Sequence, residues 1–259
     1  MDKKELIELL DATNGGDASA INKLVNYYLE IKDYKSAFDV AYRFNFMNDP
    51  KGLGTLAYFY NNGLGVEQNI SKAKELYKRS LDLGELSGGY NLALIYIKEK
   101  DYDAALKYLL SGVTSDYIPS IKLLANMYIN GDGVVESKDI AINLLNKAIA
   151  LGDKKSHVSL GKIYYANKEY EKAFNEFSFG LKDNDPDSIY YVGLCYAKGL
   201  GVKQDFASAF KYYEIGAHLN EPRSLYNLSL YYRNGNIVAQ NVDLANKLEE
   251  QAIENGFKK

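Results

Sequence analysis

The sequence has no tryptophan and only one cysteine, Cys195, among its 259 residues. A single thiol excludes the intrachain disulfide framework on which many small secreted domains depend. The chain also lacks an uninterrupted apolar stretch near the roughly 20 residues that a membrane-spanning helix needs. Its first residues show neither the apolar run nor the small-residue cleavage site of a signal peptide. These absences predict a soluble protein in a reducing, cytoplasmic setting, without membrane association.

An excess of charge of one sign is also absent, since 31 Lys and Arg face 34 Asp and Glu and the formal net charge is −3. This balance gives no general attraction to nucleic acid or anionic membranes, so nucleic acid is not the expected partner. The two histidines, His157 and His218, have no second histidine or thiol pair nearby, whereas a metal site needs three or four ligands. We therefore expect no metal and no cofactor. Cys195 has no activating base in the pattern and is predicted to be a small buried hydrophobe.

Tyrosine, by contrast, occurs 24 times and recurs at a regular interval. Seven marker tyrosines are separated alternately by 32 and 36 residues: Tyr28, Tyr60, Tyr96, Tyr128, Tyr164, Tyr196 and Tyr232. A period of this length is typical of solenoids, in which each repeat is one supersecondary unit stacked on its neighbours. The sequence therefore predicts seven stacked units.

The residues before each marker predict a helix, here named helix A. Four residues before the marker the chain has Leu24, Leu56, Leu92, Leu124, Leu160, Val192 and Leu228. Eight residues before it the residue is always small: Ala20, Gly52, Gly88, Ser120, Ser156, Ser188 and Ser224. Spacings of four and eight place these residues on one helix face, where small side chains let a neighbouring helix approach closely.

A second helix, helix B, follows each marker after one of two turns. Short units have Lys-Asp-Tyr or Lys-Glu-Tyr, beginning at Lys32, Lys100 and Lys168. Long units insert four residues and carry Gly-x-Gly-Val, beginning at Gly63, Gly131 and Gly199. These glycine loops recur between two helices, so we interpret them as turns rather than phosphate-binding loops, which follow a strand. Short and long units alternate except that the seventh unit, around Gly235, has the long form.

The predicted fold is an all-α solenoid of antiparallel helix pairs. We assign residues 1–16 to an N-terminal capping helix and 17–259 to seven repeats that alternate between short and long units. The pattern Leu-small-x-x-Tyr, then Gly-x-Gly-Val, an alanine and a closing Leu-Gly, is complete in Leu56–Gly84 and Leu124–Gly152 and nearly so from Val192 to Gly201. It resembles the Sel-one-like repeat family, and the short units are similar to tetratricopeptide repeats. The resemblance implies a right-handed superhelix that acts as an adaptor or scaffold, without catalytic activity.

By the same resemblance helix A lines the concave face, with inward positions at −9, −6, −2, +1 and +2 from each marker. These positions hold eight cations and two anions, a net charge of +6: Lys51, Lys98, Lys122, Lys155, Lys162, Lys198, Arg223 and Arg233 against Glu30 and Asp187. Tyrosine and asparagine are also frequent there. Tyrosine supplies contact area at low entropic cost and asparagine can pair with a peptide backbone.

We therefore expect this face to bind a protein or an extended acidic peptide, with no small-molecule substrate. The predicted partner-binding residues are Lys51, Tyr58, Asn62, Tyr90, Lys98, Lys122, Asn126, Asn130, Lys162, Tyr190, Lys198, Arg223, Tyr226 and Arg233. No acidic pair or activated nucleophile stands out, so the chain is not expected to be an enzyme. The alternative function is that of an inhibitor or immunity-type protein that covers a partner toxin or enzyme.

Overall fold

The computed structural model describes residues 3–43 and 49–258, and over this part of the chain every regular element is helical. The α-helices are α1 Lys3–Asn14, α2 Ala18–Glu30, α3 Tyr34–Arg43, α4 Pro50–Asn62, α5 Ile70–Asp82, α6 Leu86–Lys98, α7 Tyr102–Thr114, α8 Ile118–Asn130, α9 Lys138–Ala150, α10 Lys155–Ala166, α11 Tyr170–Gly180, α12 Pro186–Lys198, α13 Phe206–His218, α14 Pro222–Asn234 and α15 Val242–Glu254. A short 3₁₀ turn, Leu181–Asp183, follows α11. None of the helices described here is long and apolar enough to cross a lipid bilayer.

The chain divides into two compact units, Met1–Glu136 and Ser137–Lys259, here called unit 1 and unit 2. Unit 1 contains α1–α8 and unit 2 contains α9–α15. Within each unit, helices that follow one another in the chain pack together. The predicted all-α solenoid of helix pairs is confirmed. The division into a capping segment 1–16 and a repeat domain stays a prediction. Asp2, whose spacing from Glu5 resembles a variant of the helix-capping box, lies outside the described residues.

Helix A of every repeat buries the residues that the marker pattern selected. The side chains four positions before the markers are all buried, from Leu24 to Leu228, and so are the small residues eight positions before them. The marker tyrosines themselves are half-buried. Each helix B contributes an alanine with no exposed surface, namely Ala37, Ala73, Ala105, Ala141, Ala173, Ala209 and Ala245. Each helix pair therefore closes around a large residue on helix A and a small one on helix B.

The small residues explain how one repeat contacts the next. A Cβ atom on Gly112 of α7 would overlap the Ser120 side chain of α8, and Gly216 of α13 has the same relationship to Ser224 of α14. The repeat around Gly88 reverses the arrangement, because there the glycine lies on helix A, against Ser80 of the preceding helix B. The sequence pattern identified the helix-A member of each contact. The helix-B member, eight residues earlier, was not predicted.

The two turn types are confirmed by the helix bounds. Three residues separate the helices of a short pair, as between α2 and α3, and seven separate those of a long pair, as between α4 and α5. The second glycine of a long turn packs against the start of the preceding helix B: Gly65 on Tyr34, Gly133 on Tyr102 and Gly201 on Tyr170. In the seventh repeat Ile237 occupies the position of this second glycine. That repeat follows a long repeat, not a short one. The alternation therefore has a packing cause, which is the contact between a short-turn tyrosine and a long-turn glycine.

Left-handed backbone conformations end both helices of a pair. Gly84, Gly152 and Asn220, which follow the last turns of helices B, have φ values of 95°, 95° and 56°. The short turns hold a lysine in the same region, at Lys32, Lys100 and Lys168, with φ between 61° and 63°. Lysine has no local hydrogen bond that would favour this conformation, so the residue type does not predict it.

Candidate functional site

Two adjoining clefts open on the exposed side of α2, α4 and α6 in unit 1, a surface here called the unit-1 face. Cleft I has a volume of about 410 Å³ and cleft II of about 500 Å³. They share three lining residues, Tyr58 of α4, Tyr77 of α5 and Asn91 of α6. Because of this shared boundary the two clefts form one continuous site across three successive helices A.

Several of the predicted binding residues meet at this face. Lys51 lines cleft I, Asn62 and Lys98 line cleft II, and Tyr58 lines both. Tyr58 is 47% exposed, and its neighbour in cleft II, Leu94, is 39% exposed. A half-exposed tyrosine beside an exposed leucine gives the site an apolar area within reach of polar groups, a combination common in protein interfaces.

Tyr77 was not among the predicted residues, although it lines both clefts. It lies on helix B and is only 2% exposed. Burial, with a smaller contribution from the Tyr58 hydroxyl, raises the pKa of Tyr77 well above the usual value, so the phenol stays protonated. Its hydroxyl makes no hydrogen bond to any residue that the structure describes. One feature of the sequence could have identified Tyr77. It lies seventeen residues after the marker Tyr60, and Tyr213 of unit 2 lies at the same distance from the marker Tyr196.

The carboxylates around the clefts are held by other protein groups. Glu85 accepts hydrogen bonds from the backbone N–H and the hydroxyl of Ser87, where it caps α6. Glu99 is paired with Lys74 at 2.5 Å. By contrast, the side chains of Lys51 and Lys98 make neither an ion pair nor a hydrogen bond within the described ranges. The cations of the unit-1 face are therefore available to a partner, whereas its anions are engaged.

Four further predicted residues of unit 1 lie outside these two clefts. Tyr90 of α6 is half-buried and makes an edge-on contact with Tyr117, with ring centroids 6.3 Å apart. Lys122, Asn126 and Asn130 all lie on α8, where Lys122 is half-buried and the two asparagines are exposed. The Asn130 amide donates a 3.1 Å hydrogen bond to Asp132 in the following turn.

In unit 2 the predicted cations are drawn into ion pairs. Lys162 of α10 lies 2.7 Å from Asp187 of α12, and Arg223 of α14 pairs with the same carboxylate. The Arg223 Nε also lies 2.7 Å from Glu221, and its guanidinium stacks 4.1 Å from the centroid of the Tyr190 ring. Glu221 caps α14 and is not at one of the inward positions, so counting those positions overstates the positive charge that remains here.

This network sets the protonation of its members. Burial alone would raise the pKa of Asp187, but hydrogen bonds and charge from Lys162 and Arg223 outweigh it and hold that pKa below the usual value. Burial likewise opposes the charge on Arg223, while Glu221 and Asp187 raise its pKa. The ion pairs of this network connect α10, α12 and α14.

The remaining predicted residues of unit 2 are dispersed. Tyr226 stacks on Phe257 at 4.3 Å, and Arg233 turns toward α15, where it pairs with Glu249 at 2.6 Å. Lys198 is exposed at the end of α12. These residues contribute to packing or lie apart, and in unit 2 the structure does not bring the predicted set into one cleft.

The structure also shows the surroundings of a histidine and of the cysteine that were considered as chemical groups. His157 Nδ1 lies 2.7 Å from Glu176 Oε2, and the imidazole stacks on Phe179 at 4.3 Å. Cys195 has no exposed surface, and burial raises the pKa of its thiol to about 11. The prediction that Cys195 is a buried small hydrophobe is confirmed.

Comparison with known proteins identifies the repeat. The family model described as the Sel1 repeat matches residues 52–85, 90–114, 119–153, 186–221 and 222–257, more than half of the chain. A sel1-like repeat-containing protein, L21, of Acanthamoeba polyphaga mimivirus is 30% identical over 113 residues, which are 44% of this chain and 21% of L21. The ubiquitin-ligase component HRD3 of Candida glabrata is 31% identical over 72 residues, 28% of this chain and 9% of HRD3. The chain thus spans a small part of the length of both relatives.

Solved structures share the fold. The Sel1 repeat protein of Oxalobacter formigenes superimposes with a TM-score of 0.76 at 20% identity, over 90% of this chain and 99% of that one. The protective antigen c5321 of uropathogenic Escherichia coli gives a TM-score of 0.73 at 21% identity, over 95% of this chain and 57% of that one. At these identities the likeness establishes the fold.

Proposed function

Because this chain belongs to the Sel1 repeat family, we propose that it is a non-catalytic scaffold that binds a partner protein on the unit-1 face. Proteins of this family generally serve as scaffolds for protein–protein interaction. The single observation that carries the proposal is the pair of adjoining clefts, which share Tyr58, Tyr77 and Asn91. They combine apolar surface with the polar side-chain groups of Tyr77 and Asn91, which make no hydrogen bond to any residue that the structure describes.

The charge of the face supports an acidic partner segment. Lys51 and Lys98 flank the shared boundary of the clefts, and the nearby carboxylates of Glu85 and Glu99 are already paired or capping a helix. Charged groups arranged in this way raise the association rate and select against basic partners more than they raise affinity. We therefore propose a partner segment that carries carboxylates on both sides of an apolar or aromatic residue.

The geometry also favours tight recognition without rearrangement. The face is formed by helices whose inner sides are buried, so little conformational entropy is lost when a partner binds. Leu53 and Leu56 of α4 are fully buried directly behind it. The unit-1 face is therefore a preorganised surface.

The test is a charge-reversal experiment in a lysate of the source organism. The full chain, immobilised through one terminus, is compared with the double variant Lys51→Glu/Lys98→Glu at low and moderate salt. A matched control, Lys107→Glu/Lys211→Glu, makes the same change in net charge at exposed positions of helices B. We expect the face variant to lose a stoichiometric partner that the wild type and the control both retain, with a larger difference at low salt.

Equal retention of partners by the face variant and the control would contradict the proposal. Where one partner is retained, its identity distinguishes a scaffold from an inhibitor. An enzyme or toxin whose activity is blocked in the complex would indicate the inhibitory function. A partner that stays active in the complex would support the scaffold.

A further inference from the structure

Tyr77 lies at the boundary between the two clefts. Only 2% of the residue is exposed, and it lines cleft I and cleft II alike. Among the described residues nothing hydrogen-bonds to its hydroxyl. Because this unpaired hydroxyl belongs to a residue that lines both open clefts, a ligand group in the clefts can accept a hydrogen bond from it.

Asn91 stands beside it with the same property. Its half-buried side chain lines both clefts and makes no hydrogen bond within the part of the chain that the structure describes. An asparagine amide offers both a donor and an acceptor, whereas a protonated tyrosine is best used as a donor. Together the two groups match the repeating carbonyl and N–H groups of a polypeptide main chain.

We propose that Tyr77 and Asn91 form a recognition floor for the main chain of an extended partner segment, with the Tyr77 hydroxyl donating to a carbonyl of that segment. The inference rests on the proposed function, since it assigns the partner's chemistry at the same face. In an extended segment successive side chains point in opposite directions. A main chain held at the shared boundary therefore has side chains on both sides of it, within reach of cleft I and cleft II.

The lysines of the unit-1 face indicate which residues that segment carries. Lys51 in cleft I and Lys98 in cleft II each lack an acidic partner within the described ranges, so each is complementary to a carboxylate. Tyr58 and Leu94 supply the apolar surface for the residue between them. The occupant is therefore an acidic segment with a central aromatic or aliphatic side chain, bound through its main chain as well as its side chains.

The probe is a phage-displayed library of random 12-residue peptides, selected on the full chain. Enriched peptides are synthesised with acetylated and amidated ends, and their dissociation constants are measured by fluorescence anisotropy. We expect enrichment of acidic residues around an apolar one. Tyr77→Phe should weaken binding by about 3- to 12-fold, the effect of one lost hydrogen bond. Tyr213→Phe, the equally buried tyrosine at the same register in unit 2, should leave affinity within about twofold.

A second measurement isolates the main-chain contact. Each peptide bond is replaced in turn by an ester, which weakens the carbonyl as an acceptor and removes the N–H donor of that bond. One ester position should reduce affinity for the wild type more than for Tyr77→Phe, because the variant has already lost the hydrogen bond to that carbonyl. Full retention of affinity by Tyr77→Phe, while Lys51→Glu/Lys98→Glu loses it, would overturn the recognition floor and leave the proposed function standing. Retention by both variants, or enrichment of no acidic peptide, would overturn both.

Discussion

Gly65 lies against the backbone carbonyl of Tyr34, so closely that a Cβ atom at position 65 would overlap the carbonyl oxygen. Gly65 also has a φ of 67°, in the left-handed region. The same contact joins Gly201 to Tyr170 in unit 2. Through it, the glycine of a long turn fixes the position of the preceding short turn.

Replacing this glycine should therefore cost more than the loss of a left-handed conformation alone. Gly84→Ala is the matched control, because Gly84 has a φ of 95° and open space around it. We expect the control to lose about 1–2 kcal/mol of unfolding free energy from the backbone conformation. Gly65→Ala should lose a further 1–3 kcal/mol or so from overpacking. Urea unfolding measures both, and equal losses would show that the Tyr34 contact does not contribute.

The contact between Gly112 and Ser120 predicts a compensating pair of substitutions. Gly112→Ser alone should destabilise the fold by about 1–3 kcal/mol, because its side chain would occupy the space of Ser120. Adding Ser120→Gly should restore stability, since the double variant copies the arrangement of Ser80 and Gly88 in the neighbouring repeat. A double-mutant cycle from urea unfolding should therefore show strong coupling. Simple additivity of the two effects would contradict this account of repeat packing.

The ion-pair network of unit 2 predicts a stability that depends on pH. The pKa of Asp187 is lower in the folded protein than its usual value, so the unfolded chain binds its proton more readily. Its stabilising effect is present above the unfolded pKa of about 4 and is lost as the pH falls through the folded pKa. Asp187→Asn should lower the melting temperature by about 2–4 °C at pH 7, because the pair is partly exposed.

The same difference should shrink in acid. Melting temperatures of wild type and Asp187→Asn, measured from pH 7 to pH 3, are expected to converge below about pH 4 as the wild type loses the charge. A constant difference over that range would mean that Asp187 contributes by packing, without its charge. The melting temperature of the wild type at each pH is the reference for Asp187→Asn, because the two proteins share every other carboxylate.

Cys195 provides a probe of core burial. Its side chain has no exposed surface and its pKa is raised to about 11 by burial. The reactive species is the thiolate, so a thiol reagent at pH 8 should modify the folded chain very slowly and the urea-unfolded chain rapidly. Rapid modification under native conditions would show that α12 opens locally.

The sequence predicts the fold well because the repeats bury the same positions seven times. The leucines and small residues around each marker are buried wherever they occur, as at Leu56 and Ser188, because interhelical packing leaves no alternative. The lysines at left-handed positions, such as Lys32, were not predictable, since backbone capping overrides their local preference. The fold is therefore predictable from sequence because equivalent positions are buried in every repeat.

The candidate site was predicted only in part. Positions on helix A identified Lys51, Tyr58 and Lys98, because their direction follows from helical periodicity. Tyr77 was missed because it belongs to helix B and reaches the face through the packing of α5 against its neighbours. The pairing of Arg223 with Glu221 was missed because it depends on a helix cap outside the counted positions. Helical periodicity predicts which residues share a face of one helix, but the contacts between different helices are seen only in the structure.

The central claim is that the unit-1 face contacts the partner, and photo-crosslinking tests it most directly. A benzophenone amino acid is placed at Tyr58 on the face or, as the matched control, at Leu110 on helix B, positions that are 47% and 51% exposed. After irradiation in a lysate of the source organism, adducts are identified by mass spectrometry. We predict a discrete adduct from position 58, mapped to an acidic segment of the partner, and none from position 110. An adduct from position 110 with none from position 58 would contradict the account.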